Sequence, residues 1–325
     1  MTEQRQDVSG RITVLLGLFV VIVVWMIIQS RPTTRAIEPQ GMADSAMTVP
    51  AATVAQDISA VAAPGVAEVI ARVNLPDSYS LEASFGDLGP KLLAAGAIDY
   101  SLFKELYASS GEPLTAAQEI ILKDGGDFPI VFDAHSSHFL LNFFWALGLT
   151  NQNPILEEGP MMQRGAQDIG RFASTGGWTI GQRPGAELYA SAPIISLTPE
   201  QQLRLEEVVY RVYRPCCDNH TAFADCNHGM AMLGLLELLA SQDKSVEEMF
   251  QAAKNVNAFW FASQMREIAI FFKISKNLDY DQIDPRMVVS SPVFSRTGFG
   301  LIHQWLVSNG LLEEGPDSTG SCTAS

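Results

Sequence analysis

Three of the four cysteines and two of the five histidines of this 325-residue chain fall in one short segment, RPCCDNHTAFADCNHGMAMLG, Arg214 to Gly234. Thiolate and imidazole are the side-chain groups that bind transition metals, and the thiolate is also the form of cysteine that reacts. Because the rest of the chain is poor in both residue types, their concentration here predicts a functional site. Three kinds of chemistry fit these residues.

The first is a metal site. Cys216, Cys217, Cys226 and His228 form a Cys₃His set, which supplies the four ligands of a tetrahedral ion. The spacing C-C-x8-C-x-H departs from the usual C-x2-4-C pattern of zinc sites. Two methionines follow, and thiolate, imidazole and thioether together suit copper as well as zinc, although core packing explains the methionines more simply. We favour a bound zinc or copper ion among the three interpretations.

The second is a structural disulfide. A bond between the adjacent Cys216 and Cys217 would be strained, because their Cα atoms are only about 3.8 Å apart. One of them pairs better with Cys226, and closing this loop of about ten residues stabilises the fold by roughly 2.7 kcal/mol in the chain-entropy model. One cysteine is then left over. Cys322 reaches it only if the C-terminal tail folds back.

The third is a reactive thiol, which would make the protein a thiol/disulfide redox carrier or a cysteine-dependent enzyme. Cys226 comes just before a predicted helix that begins at His228, with Asp225 or Asn227 as its cap. The positive end of the helix dipole favours a thiolate at that position. A general base usually comes from a separate element, and His303 is a candidate.

Another histidine pair, His135 and His138, lies three residues apart in DAHSSHFLLN. On a helix both would share a face, and with Asp133 they could supply further metal ligands. We prefer the simpler interpretation, in which Asp133 caps the helix and His135 is exposed in its first turn.

The elements that must position these residues are predicted to be helices. Three capping boxes mark helix starts, and DPRMVV begins with Asp284 as cap and Pro285 in the first turn. The apolar run HFLLNFFWALGL suits the core, and Gly148 is a plausible helix end. The fold class is therefore all-α, a helical bundle-like globular domain. The capping boxes are Thr115 with Gln118, Thr198 with Gln201, and Ser245 with Glu248.

Two neighbouring segments of this domain differ in regularity, and one of them is its clearest helix. After Thr198, an apolar stripe of Leu203, Val208, Val209 and Val212 predicts a helix that ends by Pro215. Residues 171–197 lack a helical pattern, and their glycines and prolines predict short extended pieces. This segment forms either a lid or a small hairpin over one end of the bundle.

The flanks of the domain have other compositions. Residues 12–28 carry no charge and are bracketed by arginines, which predicts an uncleaved transmembrane helix. Equal numbers of basic residues flank this helix, so charge does not decide its orientation. We therefore expect the default orientation, in which the helix anchors the protein in the cell membrane and the large C-terminal domain lies outside the cytoplasm. The predicted organisation is a short cytoplasmic N-terminus at 1–11, the anchor at 12–28, a flexible stalk at 29–64, the helical domain at 65–312 with its Cys/His loop at 215–228, and a flexible tail at 313–325.

Charge restricts the partners. The formal charge of −15 repels phosphate backbones, so we predict no nucleic-acid partner, while the membrane is a partner through residues 12–28. The motif CC…DCNHGMAMLGL, with FFWALGL and GRFASTGGWT, resembles hypothetical bacterial membrane-anchored proteins. That resemblance implies no activity and adds no mechanism. The sequence thus predicts a membrane-anchored domain with a Cys/His site.

Overall fold

The computed structural model describes residues 66–312. Within that range, no helix combines the length and the apolarity that a membrane span requires. The predicted anchor at 12–28, the N-terminus and stalk around it, and the tail at 313–325 lie outside the described residues.

Helices make up most of the described chain, as predicted. Short 3₁₀ turns join some of them, at Met162–Arg164, Ala166–Arg171 and Tyr280–Gln282. The α-helices are α1 Val66–Ala71, α2 Leu88–Ala94, α3 Tyr100–Ser109, α4 Ala116–Lys123, α5 Ser137–Thr150, α6 Pro154–Glu157, α7 Ala173–Gly176, α8 Gly185–Leu188, α9 Pro199–Val209, α10 Asn227–Ser241, α11 Val246–Trp260, α12 Ala262–Lys276, α13 Pro285–Val288, α14 Ser291–Phe294 and α15 Arg296–Ser308.

The fold also contains a two-stranded antiparallel sheet, so the all-α prediction is correct only for the dominant element. Strand β1, Ser78–Gly86, pairs with β2, Gly126–Asp133, and the register is interrupted between Leu81 and Gly86. Helices α2 to α4 lie between the strands in sequence. Both strands are edges, which is why β2 tolerates Pro129, a residue without an N–H group to donate.

The core is organised around α5 and α10, whose backbones touch at a pair of glycines. A Cβ atom on Gly148 would lie 2.1 Å from the Met230 carbonyl oxygen, and one on Gly234 would lie 2.4 Å from the Phe144 oxygen. Gly148 is therefore a packing residue inside α5, and our prediction that it ends the helix is wrong. The helix continues to Thr150.

The two central helices run in the same direction. Trp260, at the end of α11, donates from Nε1 to the Ser137 carbonyl at the start of α5 over 3.2 Å. The ring of Trp260 also lies 6.2 Å from that of His228, at the start of α10. Because one side chain reaches both helix starts, the N-terminal ends of α5 and α10 lie side by side. The segment that connects them, 151–226, must return along the length of the pair.

Four of the capping predictions are confirmed. The boxes at Thr115, Thr198 and Ser245 are all formed, and the Asp284 side chain accepts from the Arg286 N–H at the start of α13. The apolar stripe of α9 is partly wrong, because Leu203 is 67% exposed and Leu205 is buried in its place. The helix also ends at Val209, several residues before the proline.

The segment at 171–197 is built from short helical turns, α7 and α8, and the extended pieces we predicted are limited to an isolated bridge between Asn151 and Ala192. The segment is held in place by an edge-to-face contact between Trp178 and Trp145 of α5, whose ring centroids lie 4.9 Å apart. Trp178 Nε1 donates to the Ala97 carbonyl over 2.8 Å. The segment is thus packed against α5.

A carboxyl group lies in the middle of this core. Glu237 on α10 is 0% exposed, and neither of its carboxyl oxygens makes a hydrogen bond within the described residues, although the Asn151 amide lies beside them. Asn151 Oδ1 already accepts from the Ile194 and Ile195 N–H groups over 3.0 and 2.8 Å, which fixes its orientation. Burial raises the pKa of Glu237 well above its ordinary value.

We expect Gly234→Ala to lower the free energy of unfolding by about 1–3 kcal/mol or more, since the added methyl group would push against helix backbone. The matched control is Gly300→Ala in α15, where a Cβ atom meets nothing within 4 Å. That control should be neutral or slightly stabilising. Urea denaturation compares the two, and equal stability of both variants would contradict the close helix crossing.

We expect stability to fall as the pH rises from about 4.3, the ordinary value for glutamate, towards the raised pKa of Glu237. The folded state holds this proton more tightly than the unfolded state, so deprotonation favours unfolding. Glu237→Gln carries no such proton, and its free energy of unfolding relative to the parent should increase across that pH range. The exposed Glu105→Gln serves as control and should leave the pH profile unchanged. Parallel pH profiles for Glu237→Gln and the parent would refute the assignment.

Candidate functional site

The cysteine segment lies at the fixed end of α10. Cys226 is the N-cap residue of this helix, in place of the predicted Asp225 or Asn227, and its Sγ atom accepts from the Gly229 N–H over 3.4 Å. The Asn227 carboxamide oxygen accepts from the His228 N–H instead. The prediction that Cys226 precedes a helix N-terminus is therefore confirmed, and its sulfur atom interacts directly with the helix end.

The three cysteines predicted as site residues lie together. The Sγ atoms of Cys216 and Cys226 are 3.9 Å apart, a contact between two sulfur atoms. Both of these sulfurs hydrogen-bond to Cys217, and these interactions, with burial, raise the pKa of the Cys217 thiol. Cys226 is 6% exposed, while Cys216 and Cys217 are half-buried. Cys322 lies outside the described residues.

A buried arginine organises the loop around these sulfurs. Arg214 is 3% exposed, and its Nε atom donates to Cys226 Sγ over 3.0 Å. Its terminal nitrogens donate to the carbonyl oxygens of Asn219, His220 and Phe223 and to the Asp225 carboxylate. The negative groups around it raise the pKa of the guanidinium, despite its burial, so it stays charged. The loop is therefore folded around one cation that also contacts a sulfur.

Two further residues, Asp225 and Gly229, surround the Arg214 guanidinium. Asp225 pairs with Arg214 and accepts from Asn219 Nδ2 over 2.8 Å, while burial raises the pKa of its carboxyl group and the arginine offsets part of that rise. A Cβ atom on Gly229 would lie 2.6 Å from the Arg214 guanidinium carbon, so glycine leaves room for the cation above the first turn of α10.

The base of the loop is closed by main-chain contacts. Tyr213 and His220 form an antiparallel bridge, and the Thr221 N–H donates to the Val212 carbonyl over 2.8 Å. The His220 ring packs near those of Tyr210 and Tyr213, and desolvation lowers its pKa. His220 is thus a half-buried part of the loop.

The His228 ring packs against aromatic side chains. Its ring centroid lies 4.5 Å from that of Phe261, and its Nδ1 atom is 3.1 Å from the Asn227 carboxamide oxygen. Burial lowers the pKa of His228, so the imidazole is neutral near pH 7. Across residues 66–312, no three His, Cys, Asp or Glu side chains are arranged to hold a metal ion. The Cys₃His site of zinc or copper stays a prediction.

The other histidines have separate surroundings. The Asp133 carboxylate accepts from the N–H groups of His135 and Ser136, in the turn before α5. His135 is exposed, as predicted, but it lies before the helix, and Ser136 takes the N-cap position that we predicted for Asp133. His138 packs on the Tyr107 ring at 5.1 Å. His303 Nδ1 lies 2.8 Å from the Glu267 carboxylate, which pairs α15 with α12.

Arg214 is the residue that reasoning from sequence missed. Arginine is mostly exposed in proteins, so nothing in its type suggests burial. Two signals were available in the sequence. Arg214 lies two residues before Cys216, and the loop that follows is too short to form regular structure, so its carbonyl groups need other donors. No known family model, curated protein or solved structure matches the chain. The site is therefore interpreted from its own geometry.

We expect Arg214→Met to lower the free energy of unfolding by about 3–5 kcal/mol, because Asp225 would lose its charged partner and three carbonyl oxygens would each lose one hydrogen-bond donor. The control is Arg211→Met, which removes an exposed arginine nearby and should stay within about 0.5 kcal/mol of the parent. Chemical denaturation measures both. If Arg214→Met were as stable as the control, the guanidinium would not organise the loop.

Proposed function

We propose that the protein is a thiol–disulfide redox protein whose active pair is Cys216 and Cys226. The observation that carries the proposal is the 3.9 Å contact between their Sγ atoms. A disulfide needs the two sulfurs at about 2.05 Å, so a short movement joins them. Thiol–disulfide exchange was one of the alternatives that the sequence left open, and the positive charge of Arg214 against Cys226 Sγ favours it over metal binding.

The exchange follows from the different exposure of the two residues. Cys216 is half-buried and is the sulfur that a partner reaches, whereas Cys226 is buried. The Cys216 thiol loses its proton to solvent, and the thiolate attacks a partner disulfide, R–S–S–R′, forms a mixed disulfide with one sulfur and releases R′S⁻, which takes up a proton. The Cys226 thiol likewise loses its proton, and its thiolate attacks Cys216 Sγ and releases RS⁻, which is protonated to RSH. Two electrons pass from the dithiol to the partner disulfide, and the reverse sequence oxidises a partner dithiol.

The surroundings of Cys226 support its role in the second step. Its sulfur receives a hydrogen bond from the charged Arg214 and another from the Gly229 N–H at the helix start. Both donors stabilise a negative sulfur, which is the attacking form in exchange. The same guanidinium is a fixed positive charge against one of the four predicted ligands, so it disfavours a metal cation there.

The predicted location bears on the direction of the reaction. Our proposal keeps the anchor at residues 12–28 and the domain outside the cytoplasm. Disulfides persist in such compartments, where oxidoreductases exchange them with folding proteins or with membrane redox partners. A purely structural disulfide at the same position is the competing function, and it differs in its reduction potential.

The test is a redox titration of the purified full-length chain in glutathione buffers, with thiol trapping and peptide mapping. We expect a Cys216–Cys226 bond whose midpoint potential lies between about −270 and −120 mV, the range of redox-active pairs. Cys216→Ser and Cys226→Ser should each abolish the transition. The matched control, Cys217→Ser, should retain a two-electron transition.

Two results would overturn the proposal. A potential below about −300 mV would indicate a structural disulfide, because such bonds resist the glutathione pool. One zinc or copper ion per reduced chain, lost on replacing any one of Cys216, Cys217, Cys226 and His228, would establish the Cys₃His metal site instead.

A further inference from the structure

The segment that follows Cys216 caps the last helix of the domain. The first N–H group of α15, on Arg296, donates to the Cys217 carbonyl over 2.9 Å. The next, on Thr297, donates to the Asp218 carboxylate over 2.8 Å, and the Thr297 hydroxyl donates to the other carboxylate oxygen over 2.9 Å. Two of the N–H groups that a helix start leaves without intrahelical partners are therefore satisfied by the cysteine loop.

The third N–H group of the same helix has an acceptor next to it in the chain. Gly298 donates to the Ser295 hydroxyl over 3.0 Å, and Ser295 is the N-cap residue of α15. The start of α15 is thus capped by two groups of residues. One is Ser295, directly before the helix, and the other is Cys217 and Asp218 of the cysteine loop. A perturbation of the loop should disturb the Arg296 and Thr297 N–H groups more than the Gly298 N–H group, whose acceptor belongs to the residue directly before the helix.

Disulfide formation requires the two sulfurs to move towards each other. The Sγ atoms of Cys216 and Cys226 must approach from 3.9 Å to about 2.05 Å. Cys226 is held by the first turn of α10 and by Arg214, so most of the movement falls on Cys216. Cys216 packs against the apolar cluster that contains Phe299 of α15, and it precedes the two capping residues directly. Because Cys217 and Asp218 follow Cys216 in the chain, a backbone shift at Cys216 displaces them as well.

We propose that oxidation of the Cys216–Cys226 pair withdraws Cys217 and Asp218 from the start of α15, so that the redox state regulates the order of this helix. The inference rests on the proposed redox function. In the reduced state the carboxylate of Asp218 also interacts favourably with the helix dipole. The oxidised domain presents an α15 with a frayed first turn, next to the attacking cysteine, which distinguishes the two redox forms for a partner that contacts this surface.

Hydrogen exchange of the full-length chain, measured separately for the reduced and the oxidised form, tests the inference. We expect the Arg296 and Thr297 amides to exchange at least tenfold faster after oxidation, while Gly298 changes little. Cys216→Ser, which cannot form the bond, should show no response to oxidant. Ser295→Ala is the matched control, because it should speed exchange of Gly298 equally in both redox states.

Thermodynamic linkage provides a second readout. A contact made only in the reduced form stabilises that form, so Asp218→Ala should make the reduction potential of the pair more negative. A tenfold coupling corresponds to about 30 mV for this two-electron couple. The exposed Asp77→Ala is the control and should leave the potential unchanged.

The outcomes separate the two proposals. If oxidation forms the Cys216–Cys226 bond but leaves the Arg296 and Thr297 amides unchanged, the regulation of α15 is wrong and the redox function stands. If no such bond forms, the redox function itself is wrong. An unchanged potential for Asp218→Ala would also overturn the coupling.

Discussion

The close approach of α5 and α10 is the constraint on which the rest of the domain depends. Helices normally keep a distance of 8–10 Å because their side chains lie between them. Here Gly148 and Gly234 bring backbone against backbone, so neither helix can shift or rotate without a collision. The start of α10 is consequently a rigid point in the fold, and Cys226 occupies that point.

The second level of organisation is electrostatic. A loop of polar residues next to a helix end needs donors for its carbonyl oxygens, and Arg214 supplies them from one side chain. Burying the guanidinium has a desolvation cost, which Asp225 and the carbonyl groups offset. The same charge acts on the sulfur of Cys226, so the group that holds the loop in shape also tunes its chemistry. Structure and reactivity at this site therefore cannot be varied independently.

Local patterns predicted the helices and their starts because a capping box depends on residues three apart, as at Thr198 and Gln201. The clustering of the cysteines and the position of Cys226 before a helix were also local and could be predicted. The pairing of β1 with β2 depends on residues distant in sequence, and Leu203 shows that an apolar residue need not face the core. The burial of Arg214 likewise depends on the carbonyl and carboxylate groups that only the folded loop brings around it.

The parallel direction of α5 and α10 has a consequence for how the domain folds. Helices side by side in this sense are separated by the whole of segment 151–226, so their contact has a high sequence separation and forms slowly. The contacts between Arg214 and Asp225, and between Cys216 and Cys226, are local by comparison. A newly made chain can therefore bring the two thiols together well before the rigid helix end exists to restrain them. In the proposed redox function, early oxidation would lock the loop before its long-range support has formed, and the timing of oxidation would then affect folding.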